Sequence, residues 1–231
     1  MKYINLKIKY SNQIVLSTAM IYFHKYFLSN ESLINELNIE DKLLLCSSLI
    51  FLSCKATNRL ISINSILAIV NEILINKNKN KKNYADLEFL KEKIFTYEQD
   101  ILCSLDFDLN VDLPYKMLPK LKQFFEGEKI QLNTKKLVEL CCYYMNDTFI
   151  LPLSLYYLPD AIAISCVSLL SHKFKFNIDI DKLIELSSYP IHKEDIIHIE
   201  QLISKIYDKS TNEKEEDNSS TKDESSVKKG I

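Results

Sequence analysis

The chain has 231 residues, 29 Lys and Arg against 31 Asp and Glu, a formal net charge of −2 and 47% apolar residues. That apolar content can bury a sizeable core, and the near balance of charge leaves no basic footprint for nucleic acid. Two glycines and five prolines are too few turn residues for an all-β protein or a sheet-and-loop enzyme of this length, so helices joined by short polar links are predicted.

In chain order, Ile14–Leu28 (IVLSTAMIYFHKYFL) reads as the first complete helix. Ile39–Ala56 follows, and its stretch Leu43–Leu52 is almost wholly apolar or small. A helix without a polar face must be surrounded by other helices. Ser62–Ile75 is predicted next, capped by Ser62. Asn76–Asn83 (NKNKNKKN) is a low-complexity basic insert. Ala85–Leu105 then places Ile94, Tyr97, Ile101, Leu102 and Leu105 on one face at helical spacing.

The second half repeats this order. Pro114–Phe125 is predicted as a helix bent near Pro119, then Gln131–Phe149. Pro159–Phe174 opens on a proline suited to a first turn and is apolar nearly all round. Asp179–Ser187 is short, and Ile191–Asp208 carries Ile199, Leu202, Ile203 and Ile206 on one face. The charged, Ser-rich stretch Ser210–Lys229 has no apolar periodicity and reads as disordered. Residue identities support a duplication. Ser47–Lys55 laid on Ser165–Lys173 shares Ser and then Leu-Ser-x-Lys, and Glu98–Asp106 laid on Glu200–Asp208 shares Glu-Gln and a final Asp.

No apolar run reaches the ~18 residues of a membrane helix, and the opening MKYINLKIKYSN lacks the apolar core of a signal peptide. Cys46, Cys54, Cys103 and Cys166 lie inside apolar helical patterns, Cys141 and Cys142 are adjacent, and no CxxC pair occurs. Buried, reduced thiols in an intracellular protein are expected. There is no glycine-rich phosphate loop, nucleophile elbow or HExxH, and His24, His172, His192 and His198 lack ligand spacing. Neither catalysis nor a metal or cofactor is implied.

Three segments carry a family resemblance. Ser17–Phe27 (STAMIYFHKYF) resembles the cyclin-box helix before the central one, in its transcription-associated form, and His24 fits that pattern. Leu49–Arg59 (LIFLSCKATNR) resembles the end of the central helix. Tyr97–Val111 (YEQDILCSLDFDLNV), followed by Pro114-Tyr115, resembles the fifth helix. In the second half, Tyr144–Asp147 and then Leu153–Tyr157 with Pro159 resemble the second box of the L, K and T cyclins.

The resemblance implies an all-α fold of two tandem cyclin boxes: residues 1–112 with a mobile insert at 76–83, then 113–208, then a disordered tail from 209 to 231. Only Met1–Tyr10 precede the first recognised helix, so the first helix of the first box is expected to be missing or shortened, and no substrate-docking patch is assigned there. The implied role is that of a non-enzymatic regulatory subunit. It would form a heterodimer with a cyclin-dependent protein kinase and hold the kinase αC helix inward. The implied setting is RNA polymerase II transcription or RNA-processing control, in the nucleus, with the cytoplasm left open. No small-molecule substrate, direct nucleic-acid contact or membrane is expected.

On the same resemblance Lys55 and Glu98 would bond to polar main-chain groups of the kinase, with Leu102, Phe107 and Leu109 as the apolar surround. Taken alone, Lys55 reads as a solvated helix end and Glu98 as an exposed helix glutamate, as do their counterparts Lys173 and Glu200. Many relatives place acidic residues after the lysine, where Ala56-Thr57-Asn58 stands here. Two other readings stay open: a cyclin-fold DNA-binding module of the general-transcription-factor kind, and a scaffold for a protein other than a kinase.

Overall fold

The computed structural model describes residues 1, 4, 12–30, 32–77, 86–128, 130 and 132–207. No strand occurs among them. The helices are α1 (Gln13–Ser29), α2 (Leu33–Glu36), α3 (Ile39–Ala56), α4 (Ile63–Lys77) and α5 (Leu87–Ser104). A 3₁₀ turn at Pro114–Met117 leads into α6 (Leu118–Gly127) and α7 (Thr134–Thr148). A second such turn at Leu153–Leu155 precedes α8 (Pro159–Phe174) and α9 (Ile180–Glu185), and α10 covers residues 193–207. The described residues form an all-helical fold, as expected.

The helix starts follow from short polar side chains. Asn12, Asn38, Asp86 and Asp179 each accept a hydrogen bond from a first-turn N–H of α1, α3, α5 and α9. Ser62 caps α4, its Oγ accepting from the Ser65 N–H at 3.2 Å. Pro119 corrects one expectation. It stands in the first turn of α6, preceded by the 3₁₀ turn, and bends no helix. A first-turn proline gives up an N–H that would lack an intrahelical partner anyway.

The chain divides by contact into two compact units. Met1–Lys116 with Phe149–Tyr156 form one, and Met117–Thr148 with the chain from Tyr157 onward form the other. In the first, α3 is the axis, packed against α1, α4 and α5. Leu44, Leu45, Leu49, Ile50 and Leu52 of α3 are all buried, each contributing about 1.5–3 kcal/mol relative to exposure. Its serines make this burial tolerable. Ser47 Oγ donates to the Leu43 carbonyl at 2.8 Å, and Ser48 Oγ lies 3.0 Å from the Leu44 carbonyl and 2.9 Å from that of Ile94. Small hydroxyls let α5 approach closely while no donor is left unmet. Phe149 packs with Ile21 and Leu113 in a small cluster on the same unit.

In the second unit α8 takes the central place, packed on α7 and α9, with Ala161 to Val167 buried throughout. Ser165 Oγ donates to the Ala161 carbonyl at 2.8 Å, the same internal solution.

Of the residues before α1, Ile4 is helical and buried. The expected shortening of the first helix otherwise falls outside the described residues, as do most of the 76–83 insert and the tail from 209. All six cysteines are free thiols. Their expected burial holds for Cys54, Cys141 and Cys166, while Cys46 and Cys142 are half-buried. Cys103 is exposed, because it stands two positions after the buried Ile101, which turns it away from the core.

Candidate functional site

Three contacts fix the relation of α3 to α5. Ser48 reaches the Ile94 carbonyl, the Phe51 ring meets that of Phe95, and Lys55 meets Glu98. Residue numbers rise together along both helices, so the two run parallel and their C-terminal ends lie at the same end of the first unit. The segments that follow them, 57–60 and 105–109, therefore lie there too.

Both helices end in the same way. The Arg59 N–H donates to the Cys54 carbonyl at 2.8 Å and that of Asn58 to Lys55 at 3.2 Å. After α5 the Phe107 N–H donates to Leu102 at 3.0 Å and that of Asp106 to Cys103 at 3.1 Å. This is the Schellman pattern, which needs a left-handed residue, and Asn58 (φ 55°) and Asp106 (φ 48°) supply it. Phe107 is left-handed as well, at φ 58°. The chain beyond is pinned by the Tyr22 hydroxyl, which donates to the Leu109 carbonyl at 2.8 Å. Burial, and then the charge of Asp108, push the Tyr22 phenol up to about 12, which keeps it protonated as that donor.

The centre of this end is a two-point ion pair. Lys55 Nζ lies 2.8 Å from Glu98 Oε1 and 2.9 Å from Oε2. The Glu98 side chain is 9% exposed and that of Lys55 46%, so the carboxylate is enclosed and the ammonium opens to solvent. Lys55 Nζ also stands 4.2 Å from the centroid of the Phe51 ring. Leu102 and Leu109 are half-buried against the core, whereas Phe107 is 68% exposed. The five residues singled out in the sequence thus fall on α3, on α5 and on the segment just after α5, with the charged pair in direct contact. The enclosure of Glu98 departs from an isolated reading of it as an exposed helix glutamate. Phe51 was not singled out at all. Its one sequence signal was its place four residues before Lys55, on the same helix face.

The second unit shows what the duplication left behind. Lys173, at the end of α8, stands over two rings, 5.7 Å from the centroid of Tyr144 and 5.4 Å from that of Tyr207. Tyr207 Oη donates to Asp147 Oδ2 at 2.9 Å. Glu200 turns to His172, with Oε2 3.6 Å from Nδ1, and is 14% exposed rather than solvated. Lysine and glutamate occupy corresponding helices in both units, but the bidentate pair forms in the first.

Among the described residues no group of three or more His, Cys, Asp and Glu is placed to hold a metal ion. None of the helices described is long and apolar enough to cross a membrane.

No protein-family model matches the chain. Curated relatives do. Human cyclin-K is 31% identical over 103 residues, covering 45% of this chain and 17% of its own length. Cyclin-T1-3 of Oryza sativa subsp. japonica is 28% identical over 177 residues, covering 73% of this chain and 33% of its own length. Cyclin-T1-4 of Arabidopsis thaliana is 27% identical over 177 residues, covering 73% of this chain and 30% of its own length. The chain therefore spans a third or less of these relatives. Among solved structures, a chain in the CAK complex from Chaetomium thermophilum bound to ATP-gamma-S matches with a TM-score of 0.54 at 14% identity, over 84% of this chain and 56% of that one. In sequence the chain is similar to K- and T-type cyclins, and it shares its fold with a chain of the CAK complex.

Proposed function

We propose that the chain is a regulatory subunit that binds a cyclin-dependent protein kinase and raises its activity, without catalysing a reaction itself. The observation that carries this reading is the Lys55–Glu98 pair at the joint end of α3 and α5. A protein kinase is active when a glutamate on its αC helix pairs with the lysine that holds the ATP phosphates. A rigid helical face that binds αC inward converts binding energy into a shift toward that state.

The site has the parts such a face needs. Two of the three ammonium hydrogens of Lys55 are directed at Glu98, and the third is available to a partner carbonyl. Each Glu98 oxygen accepts one bond from Lys55 and, as a carboxylate oxygen, can accept another from a partner N–H that reaches the edge of its enclosed side chain. Both would be charge-assisted bonds. Phe107 offers an exposed aromatic surface, and Leu102 and Leu109 extend it, so water can be excluded around the charges. Removing one charge from such a buried contact costs about 2–5 kcal/mol of binding. The similarity to K- and T-type cyclins supports the further reading that this work belongs to RNA polymerase II transcription or RNA processing, in the nucleus.

The test is to mix the purified chain with individual purified cyclin-dependent kinases and measure phosphorylation of a peptide substrate. Stimulation that disappears in Lys55→Ala/Glu98→Ala, with helicity unchanged, supports the reading. Retention of duplex DNA without any kinase stimulation would instead favour the DNA-binding module. Stable capture of a protein other than a kinase would favour the scaffold.

A further inference from the structure

Lysine is a poor anchor on its own, since its four-carbon stem samples many rotamers and that freedom is lost when it is fixed. Lys55 is 46% exposed along its side chain, which ordinarily leaves an ammonium mobile. Here it is bounded on two sides. The Glu98 carboxylate takes two of its hydrogens, at 2.8 and 2.9 Å. The Phe51 ring, one turn earlier on α3, lies 4.2 Å below Nζ. That ring is itself 6% exposed and packs on Phe95 with centroids 6.2 Å apart and planes at 49°, so it has no room to swing aside. A ring face attracts an ammonium electrostatically, which an aliphatic side chain of the same bulk does not.

We propose that Phe51 is a positioning residue: its ring holds the Lys55 ammonium in the direction that the partner kinase meets, so that less freedom is lost on binding. This rests on the reading of Lys55 as a kinase contact. The second unit supports the device independently of that reading. There the lysine at the end of the central helix also lies on aromatic faces, Tyr144 and Tyr207, contributed by α7 and α10 rather than by α8 itself. The same result is reached with different residues, and without the carboxylate pair.

A double-mutant cycle on affinity for a stimulated cyclin-dependent kinase decides the matter. Phe51→Leu keeps an apolar side chain and removes the ring face, and it should weaken binding about three- to tenfold. Phe51→Tyr, which keeps the face, should bind as the native chain does. In a Lys55→Met background the further change Phe51→Leu should alter affinity by less than about twofold, because the group it acts on is gone. An equal loss in both backgrounds overturns the proposal and makes Phe51 a packing residue only. A second measurement on the free chain is independent of any kinase. The Lys55 Hε protons should show an upfield ring-current shift by NMR, lost in Phe51→Leu, and its absence from the native chain overturns the proposal. If the shift is present but Lys55→Met leaves affinity unchanged, the kinase-contact reading of Lys55 fails, and the positioning role falls with it.

Discussion

An enclosed carboxylate depends on its cation more than the cation depends on it. Glu98 is 9% exposed and Lys55 46%, so removing each partner strands groups of very different cost. Lys55→Met leaves a buried charge unpaired and should destabilise the fold by about 1–3 kcal/mol. Glu98→Gln leaves an ammonium that water can serve, and should cost less. The double variant should be more stable than Lys55→Met alone. Urea unfolding curves of the three variants check the order, and equal costs for the two single changes would contradict the asymmetry. His24 gives a second residue-scale expectation. Burial pushes its imidazole below the ordinary value of 6.5, so the folded chain holds it neutral while the unfolded chain takes up a proton. Stability should therefore be complete above about pH 6.5 and fall as the pH drops through that value. Thermal unfolding between pH 7.5 and 5.5 measures it, and His24→Gln should flatten that part of the profile.

With two glycines in 231 residues, the helices must close on residues poorly suited to the task. Asn58, Asp106 and Lys175 are all left-handed, with φ of 55°, 48° and 54°. Asn and Asp tolerate this region through their short polar side chains, and Lys does not. Lys175 follows α8 and is exposed, so nothing but the backbone is at stake. Lys175→Gly should raise stability by about 1 kcal/mol, read as a higher melting temperature with unchanged helicity. Phe107 is a different case. A bulky side chain at φ 58° carries strain, and its 68% exposure sets it on the proposed docking face rather than in the core. The helices themselves were legible, because apolar spacing and end residues such as Ser62 obey local rules. What escaped was decided elsewhere. Pro119 reads as a bend until the 3₁₀ turn before it is known, and Cys103 sits in an apolar run that does not reveal which side faces out. Phe51 was hidden for the same reason: in α3 every face is apolar, so periodicity cannot say which ring lies under the lysine.

At the scale of the whole chain, the sequence made the duplication visible through Lys55 with Lys173 and Glu98 with Glu200. It did not show that the two copies would treat these residues differently, since that depends on which rings and carboxylates the surrounding helices bring near. Nor did it show that each unit draws on two separate stretches of chain. Phe149 is 4% exposed and packs with Ile21 and Leu113, so Phe149→Ala should destabilise the chain by about 3–5 kcal/mol, measured by urea denaturation. For anyone cutting the gene, the practical meaning is plain. A fragment ending at Lys116 would carry every helix of the leading repeat and still lack the phenyl group that roofs Ile21 and Leu113. It should bind a hydrophobic dye that the intact chain ignores, and a kinase assay performed with it would report on a damaged scaffold.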